Sequence, residues 1–101
     1  NGYNAGVNAG KSTYGMKTKT GSVKYISDSG YYIQITNIGF TPRIFFAQCT
    51  GDIRIYSADL NRWSSPDGQG DGLPSGWSFS SSLIKAKVKS KQTYNYVIIG
   101  Y

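Results

Sequence analysis

Apolar and polar positions alternate with a period of two through much of the chain, which is typical of short β-strands. Residues 31–36 alternate in this way, so Tyr31, Ile33 and Ile35 are expected to share one face and to enter the core. Residues 83–89 repeat the pattern, with small or branched apolar side chains on one face and lysines on the other. The chain is therefore predicted to form strands with one buried face.

Two longer apolar runs predict strands in the middle of a sheet. Arg43–Cys49 contains four consecutive apolar residues, as expected for a central strand. Tyr94–Tyr101 is rich in aromatic and β-branched residues. Because a terminal segment is usually frayed and polar unless a sheet holds it, we expect this segment to be a structural strand.

Glycine, proline and aspartate mark the predicted connections between strands. Thr50–Asp52 predicts a tight hairpin turn into a strand in which Ile53 and Ile55 face the core and Arg54 and Tyr56 face solvent. A second turn is predicted at residues 28–30. Upstream, Tyr14–Thr20 and Ser22–Asp28 flank Gly21, and this pattern predicts either a hairpin or two neighbouring strands.

Residues 59–76 are predicted to form one long connection. Connections longer than about 12–15 residues are uncommon in compact domains and tend to be functional or disordered. This segment contains Trp63 and leads directly to Trp77. At least one of the two tryptophans is expected to cover the core.

The first residues differ in composition from the rest. Residues 1–10 contain Asn-Ala-Gly twice and glycine at every fourth position, which favours a flexible or oligomer-templated linker. We therefore predict a Gly/Asn-rich tether over residues 1–12. Residues 13–101 are predicted to form one all-β domain, a small antiparallel β-sandwich of about seven to eight strands.

The charge balance indicates an anionic partner. Eleven basic residues against five aspartates give a formal charge of +6, which steers a protein toward polyanions. Lys85, Lys87 and Lys89, continued by Lys91, form a lysine ladder on one strand face. The ladder is either a solvated strand protected from aggregation by lysine or a basic stripe that follows a polyanion.

The sequence argues against an enzyme or a metalloprotein. It contains no His and no Glu, so the commonest general base is missing, and no serine lies in a Gly-x-Ser-x-Gly context. Asp67–Gly72 lacks the alternating ligands and the final Glu of a calcium loop. Cys49 is the single cysteine and is expected to be an inert thiol. No cofactor or metal is expected.

The remaining chemistry suits a glycan better than nucleic acid or membrane. No nucleic-acid-binding module is recognisable, and no apolar stretch approaches the ~20 residues that span a bilayer. Aromatic rings can stack on sugars, and cations can bind phosphodiester groups. The candidate ligand-binding residues are Arg54, Tyr56, Arg62, Trp63, Trp77, Lys85, Lys87 and Lys89.

Two motifs carry a family resemblance. The segment Asn37–Arg43, an N-I-G-F-x-P-[RK] turn that leads into an apolar strand, and the closing aromatic-x-x-I-G strand of Tyr96–Gly100 resemble the C-terminal domains of tail-fibre and baseplate proteins of bacteriophages that infect Gram-positive hosts. The resemblance implies a homotrimeric β-sandwich at the tail tip, located in the virion and assembled in the host cytoplasm. The Tyr-Asn-x-Gly repeats likewise resemble tethers between phage tail domains.

Three functions are consistent with this resemblance and with the residues. The first is a non-enzymatic tail component that binds the bacterial surface, with wall teichoic acid or another anionic polysaccharide as ligand. The second is a structural adaptor that contacts other phage tail proteins. The third is a lectin-like carbohydrate-binding module.

Overall fold

The computed structural model describes residues 15–101, and the predicted tether over residues 1–12 lies outside the described residues. The described part contains ten strands. Their bounds are β1 Lys17–Lys24, β2 Ile26–Ser27, β3 Tyr31–Thr36, β4 Pro42–Cys49, β5 Asp52–Ser57, β6 Arg62–Ser65, β7 Gly68–Asp71, β8 Ser78–Phe79, β9 Leu83–Val88 and β10 Thr93–Gly100.

The strands form two antiparallel sheets. One has six strands in the order β1-β10-β4-β5-β6-β7, and the other has four in the order β2-β3-β9-β8. The prediction of an all-β antiparallel fold is confirmed. β4 lies between β10 and β5, and β10 lies between β1 and β4, so both long apolar runs of the sequence occupy interior positions of the larger sheet.

The core lies between the two sheets and is built from alternate residues of their central strands. Ile33, Phe45, Ile84, Tyr94 and Ile98 are completely buried. The predicted inward residues of β3 and β9 are buried, except that Tyr31 is half-buried at the edge of the core. Apolar packing between the sheets is thus the main source of stability, at about 1.5–3 kcal/mol for each fully buried large side chain.

The predicted facing of β5 was wrong. Tyr56 is buried, whereas Ile53 and Ile55 are half-exposed on the opposite face. Tyr56 lies directly across from the buried Phe45 of β4, and its ring meets Phe79 edge to face at 4.8 Å between centroids. The alternation of two isoleucines with polar residues predicted the wrong face, because the inward positions of β5 are occupied by the Tyr56 ring and by the Asp52–Arg54 ion pair.

The prediction of a break at Gly21 was also wrong. β1 runs continuously from Lys17 to Lys24, and Gly21 lies across from Tyr96 of β10. A Cβ atom at Gly21 would lie 2.9 Å from the Tyr96 hydroxyl oxygen. The glycine is needed here because the tyrosine side chain lies over it, not because the chain turns.

Residues 59–76 are not a structureless connection. They contain β6 and β7, which form a hairpin that extends the edge of the six-stranded sheet beyond β5. The Trp63 ring covers Gly70, where a Cβ atom would lie 2.8 Å from the indole nitrogen. The apolar pattern missed this hairpin because its strands are short and polar, and backbone pairing with β5 holds them.

Candidate anion-binding cavity

β9 places the lysine ladder on the outer face of the four-stranded sheet. Ile84, Ala86 and Val88 are buried, so the pleat directs Lys85 and Lys87 to the opposite face. Lys89 follows the last residue of the strand. Lys87 and Lys89 are exposed, and Lys85 is half-buried.

Tyrosines of the neighbouring strand accompany the lysines. Tyr32 of β3 lies directly across from Lys87, and the Lys85 ammonium lies 4.5 Å from the centroid of the Tyr32 ring. Lys91 lies 5.0 Å from the centroid of the Tyr31 ring. These cation–π contacts hold long, flexible cations close to aromatic surface.

A cavity of about 430 Å³ opens at the end of the ladder. It brings together residues from β3, β5, β9 and the turn between β6 and β7. Its lining residues are Tyr31, Arg54, Asp67, Lys87, Val88 and Lys89. Three of the eight ligand-binding residues predicted from sequence therefore meet in one place, with an aromatic ring beside them.

Arg54 is held in the cavity wall by a buried carboxylate. Its Nε donates to Asp52 Oδ2 at 3.2 Å, and its Nη2 lies 3.1 Å from Asp52 Oδ1. This side-on contact engages one edge of the guanidinium, whose planar fork has five N–H donors. The donors that Asp52 does not engage remain for a ligand, and the pairing fixes their direction in advance.

Asp52 is itself at the centre of a hydrogen-bond network. The backbone N–H of Lys89 donates to Asp52 Oδ2 at 3.1 Å, and the buried Tyr94 hydroxyl donates to the same oxygen. Burial alone would raise the pKa of Asp52, but the hydrogen bonds from Tyr94, Lys89 and Arg54 outweigh it and lower the pKa. Burial and the Asp52 carboxylate raise the pKa of Tyr94. The network keeps Asp52 ionised, and it ties the cavity to the core.

The lysines of the ladder differ in how they are neutralised. Lys89 Nζ donates to Asp67 Oδ1 at 3.2 Å, and Lys85 Nζ lies 4.0 Å from an oxygen of Asp28. Within residues 15–101, Lys87 has no carboxylate within ion-pairing distance. Among Lys85, Lys87 and Lys89, Lys87 is therefore the cation most open to an external anion.

Two of the other predicted ligand residues are engaged elsewhere. The Tyr56 ring is buried, and its hydroxyl donates to Asn61 Oδ1 at 3.0 Å. Arg62 Nη1 donates to Asp71 Oδ1 at 2.8 Å across the β6–β7 hairpin. Neither residue lines the cavity.

The two tryptophans also lie outside the cavity. The Trp77 ring packs on Phe45 edge to face at 6.3 Å between centroids, so it covers the core as predicted for at least one tryptophan. Trp63 lies half-buried on Gly70. The structure thus does not gather the tryptophans and the lysine ladder into one site.

Sequence reasoning missed three of the lining residues. Tyr31 and Val88 were expected to be core, and Asp67 was considered only as part of a calcium loop. The alternation of Tyr31 with Ile33 carried no signal that its ring reaches the edge of the sandwich. Asp67 reaches Lys89 only because β6 and β7 fold back as a hairpin.

Three other possible features of residues 15–101 are a metal site, a membrane-spanning helix and a reactive thiol. Residues 15–101 contain no group of three or more His, Cys, Asp or Glu side chains that could hold a metal ion. No helix in that part of the chain is long and apolar enough to cross a membrane. Cys49 is a free, half-buried thiol whose Sγ lies 3.7 Å from the Thr50 carbonyl oxygen.

No family model matches the chain, and comparison with curated proteins and with solved structures finds no match. The functional conclusion therefore depends on the chemistry of the cavity and the lysine ladder.

Proposed function

We propose that this chain is a non-enzymatic domain of a phage tail fibre or baseplate that binds the bacterial cell surface. Its ligand is an anionic cell-wall polysaccharide of the teichoic acid class. The observation that carries the proposal is the meeting of Arg54, Lys87 and Lys89 around one cavity beside the Tyr31 ring. The tail location comes from the resemblance of the Asn37–Arg43 and Tyr96–Gly100 motifs.

Each side chain has a role in binding a polymer of phosphodiesters and polyols. Arg54 donates from its free N–H groups to a phosphate oxygen, a contact that is charge-assisted and directional. Lys87 and Lys89 supply positive charge on either side of Val88. Tyr31 offers an apolar surface for the carbon atoms of a sugar or polyol.

The ladder extends this site along the sheet. Residues two apart on one strand face are separated by about 7 Å, so Lys85 and Lys87 can meet successive anionic groups of one polymer. Linked contacts of this kind raise the overall affinity because each later contact is intramolecular. Weak individual contacts with phosphate then combine into firm attachment.

A second candidate function is that of a tail adaptor. The supporting observation is an uncharged apolar area on the outer face of the six-stranded sheet, at Phe46, Ile55 and Val97. Such an area suits contact with another protein better than contact with a polyanion. The two functions use opposite faces of the sandwich and are compatible in one domain.

Binding to poly(glycerol phosphate), measured by calorimetry over a salt series, tests the proposed ligand class. The double variant Lys87→Gln/Lys89→Gln should weaken binding at least tenfold. The matched control Lys17→Gln/Lys24→Gln removes the same charge from exposed positions of β1 and should change binding far less. Equal loss in both variants would mean that net charge, not the cavity, attracts the polymer.

Salt and ligand type separate the alternatives. Attraction between exposed charges is screened over about 8–10 Å at physiological ionic strength, so binding to the anionic polymer should fall as salt rises. A neutral glycan bound equally well at high salt would indicate a lectin-like module. A chain that binds neither the anionic polymer nor the neutral glycan would favour the adaptor function.

A further inference from the structure

The outer face of the six-stranded sheet is apolar at its centre. Phe46 lies across from Ile55 on one side and from Val97 on the other, and Ile44 lies across from Ile99. With Ile53, these side chains form a continuous area on β10, β4 and β5 that we call the outer apolar face. Its six members are Ile44, Phe46, Ile53, Ile55, Val97 and Ile99, and all are half-buried.

Most of the residues around this area are uncharged and polar; the charged side chains that share the face, Lys24 of β1 and the Arg62–Asp71 ion pair of the β6–β7 hairpin, lie at its periphery. Thr18, Thr20 and Ser22 of β1 share the face with β10, as the strand register places them across from Ile99, Val97 and Asn95. Gln48 and Ser57 lie at the ends of β4 and β5. Within the described residues, no outward position of β10, β4 or β5 carries a charged side chain. Depletion of charge around an apolar centre is typical of protein interfaces.

We propose that the outer apolar face packs against the same face of a second copy of this chain. The result is a face-to-face dimer with four stacked β-sheets. This inference goes beyond polysaccharide binding and does not depend on it, because the lysine ladder lies on the other sheet. A dimer through this face excludes the adaptor function at the same residues and replaces the homotrimer that the family resemblance implies.

Electrostatics favour a second copy on this face despite the charge of +6 on each chain. In a face-to-face pair the two lysine ladders lie on the outermost sheets. Packed sheets are about 10 Å apart, so the ladders of the two copies are separated by about 30 Å, or several screening lengths at physiological salt. Contact through this face thus avoids repulsion between the two lysine ladders, which would oppose contact between the four-stranded sheets.

The size of the face also fits a dimer. With the polar β1 beside the three strands of the outer apolar face, four strands about 4.8 Å apart, with up to eight residues of about 3.4 Å each, give a flat area of about 500 Å². Side chains that stand out from the sheet increase the accessible area. The face therefore approaches the roughly 600–1,000 Å² that each partner contributes to a specific interface.

The occupant of this face must match six aliphatic and aromatic side chains. A copy of the same face matches them in shape and polarity, as in two-fold symmetric interfaces.

Sedimentation equilibrium of the whole chain tests the dimer, with a matched pair of substitutions. Ile55→Lys places charge at the centre of the outer apolar face, while Ile26→Lys makes the same change at an exposed position of β2, in the other sheet. We expect a concentration-dependent dimer for the wild type and for Ile26→Lys. Ile55→Lys should weaken association at least tenfold.

A second variant covers the case in which Ile55→Lys fails to fold. Gln48→Lys changes an exposed side chain on the same face, so it should fold normally and still weaken the dimer. A wild type that stays monomeric at millimolar concentration would overturn the inference. So would an oligomer of unchanged affinity in Gln48→Lys. Polysaccharide binding by the monomeric variants should persist, so failure of the dimer and failure of the proposed ligand can be told apart.

Discussion

Replacement of Asp52 by Asn should be the most destabilising single polar substitution near the cavity. The Asp52 side chain is 1% exposed. It accepts hydrogen bonds from Tyr94, from Arg54 and from two backbone N–H groups, those of Ile53 at 2.9 Å and Lys89 at 3.1 Å. An amide in its place loses the charge and turns one acceptor into a donor that faces other donors.

The size of the effect follows from these contacts. Removing one partner of a buried ion pair costs about 3–5 kcal/mol, because the other charge is left uncompensated. The Arg54 side chain retains 12% exposure, so water can relieve part of this cost. We expect Asp52→Asn to lower the free energy of unfolding by about 3 kcal/mol.

Chemical denaturation of Asp52→Asn and of Asp67→Asn measures this difference. Asp67 also pairs with a cation that lines the cavity, but its side chain is 58% exposed and that of Lys89 is 67% exposed. Exposed pairs contribute about 0–1 kcal/mol, so Asp67→Asn should be nearly neutral. If the two variants lost the same stability, the buried network would not have the role that its geometry indicates.

The pH dependence of stability provides an independent check. The folded-state pKa of Asp52 is lowered, so its ionised form stabilises the fold at pH values above the unfolded pKa of about 3.9. That contribution is lost as the pH falls through the lower, folded-state pKa. The difference in melting temperature between wild type and Asp52→Asn should therefore be constant near neutral pH and narrow below about pH 4. A difference that grew in acid would contradict the sign of the shift.

Four further substitutions have predicted outcomes in thermal or chemical denaturation. Tyr94→Phe should lower the free energy of unfolding by about 1–2 kcal/mol, because it removes a donor to Asp52 and the acceptor of the Ser90 N–H. An unchanged free energy of unfolding would mean that water replaces the hydroxyl. Gly100→Ala should lower the free energy of unfolding by about 3 kcal/mol or more, since its Cβ would lie 1.9 Å from the backbone oxygen of Thr41. Gly21→Ala should lower it by only about 1 kcal/mol, because the added Cβ meets only the end of the Tyr96 side chain. Trp63→Ala should lower the free energy of unfolding by about 2 kcal/mol, because packing in the β6–β7 hairpin is lost, and it should leave polyanion binding unchanged. Weaker binding with unchanged stability would mean that the ligand contacts the tryptophan instead.

The apolar pattern predicted those strands whose buried face is made only of apolar aliphatic and aromatic residues. β3, β4, β9 and β10 follow from alternation or from continuous apolar runs, because burial of these side chains between two sheets determines their position. The pattern failed for β5, where Asp52 and Arg54 occupy inward positions. Their ion pair is stable in the interior only with Tyr94 and the Lys89 backbone, which lie far away in sequence.

The candidate site was predictable in its charge but not in its geometry. The lysines of β9 follow from alternation alone. Their meeting with Arg54 depends on how the two sheets pack, and the approach of Asp67 depends on a hairpin whose polar strands give no apolar signal. The aromatic residues were a poor guide to the binding site, because Tyr56 and Trp77 contribute to the core and Trp63 covers Gly70.

We propose that a phosphodiester polymer binds in the cavity bounded by Arg54, Lys87 and Lys89. Titration of the ¹⁵N-labelled chain with poly(glycerol phosphate), followed by two-dimensional NMR, would locate the bound polymer on the protein. The largest shifts should occur at the backbone amides of Lys87 and Lys89 and at the Arg54 Nε–H, and β1 signals should stay unchanged. Shifts centred on the outer apolar face or on Trp63, or no shifts at all, would contradict this proposal.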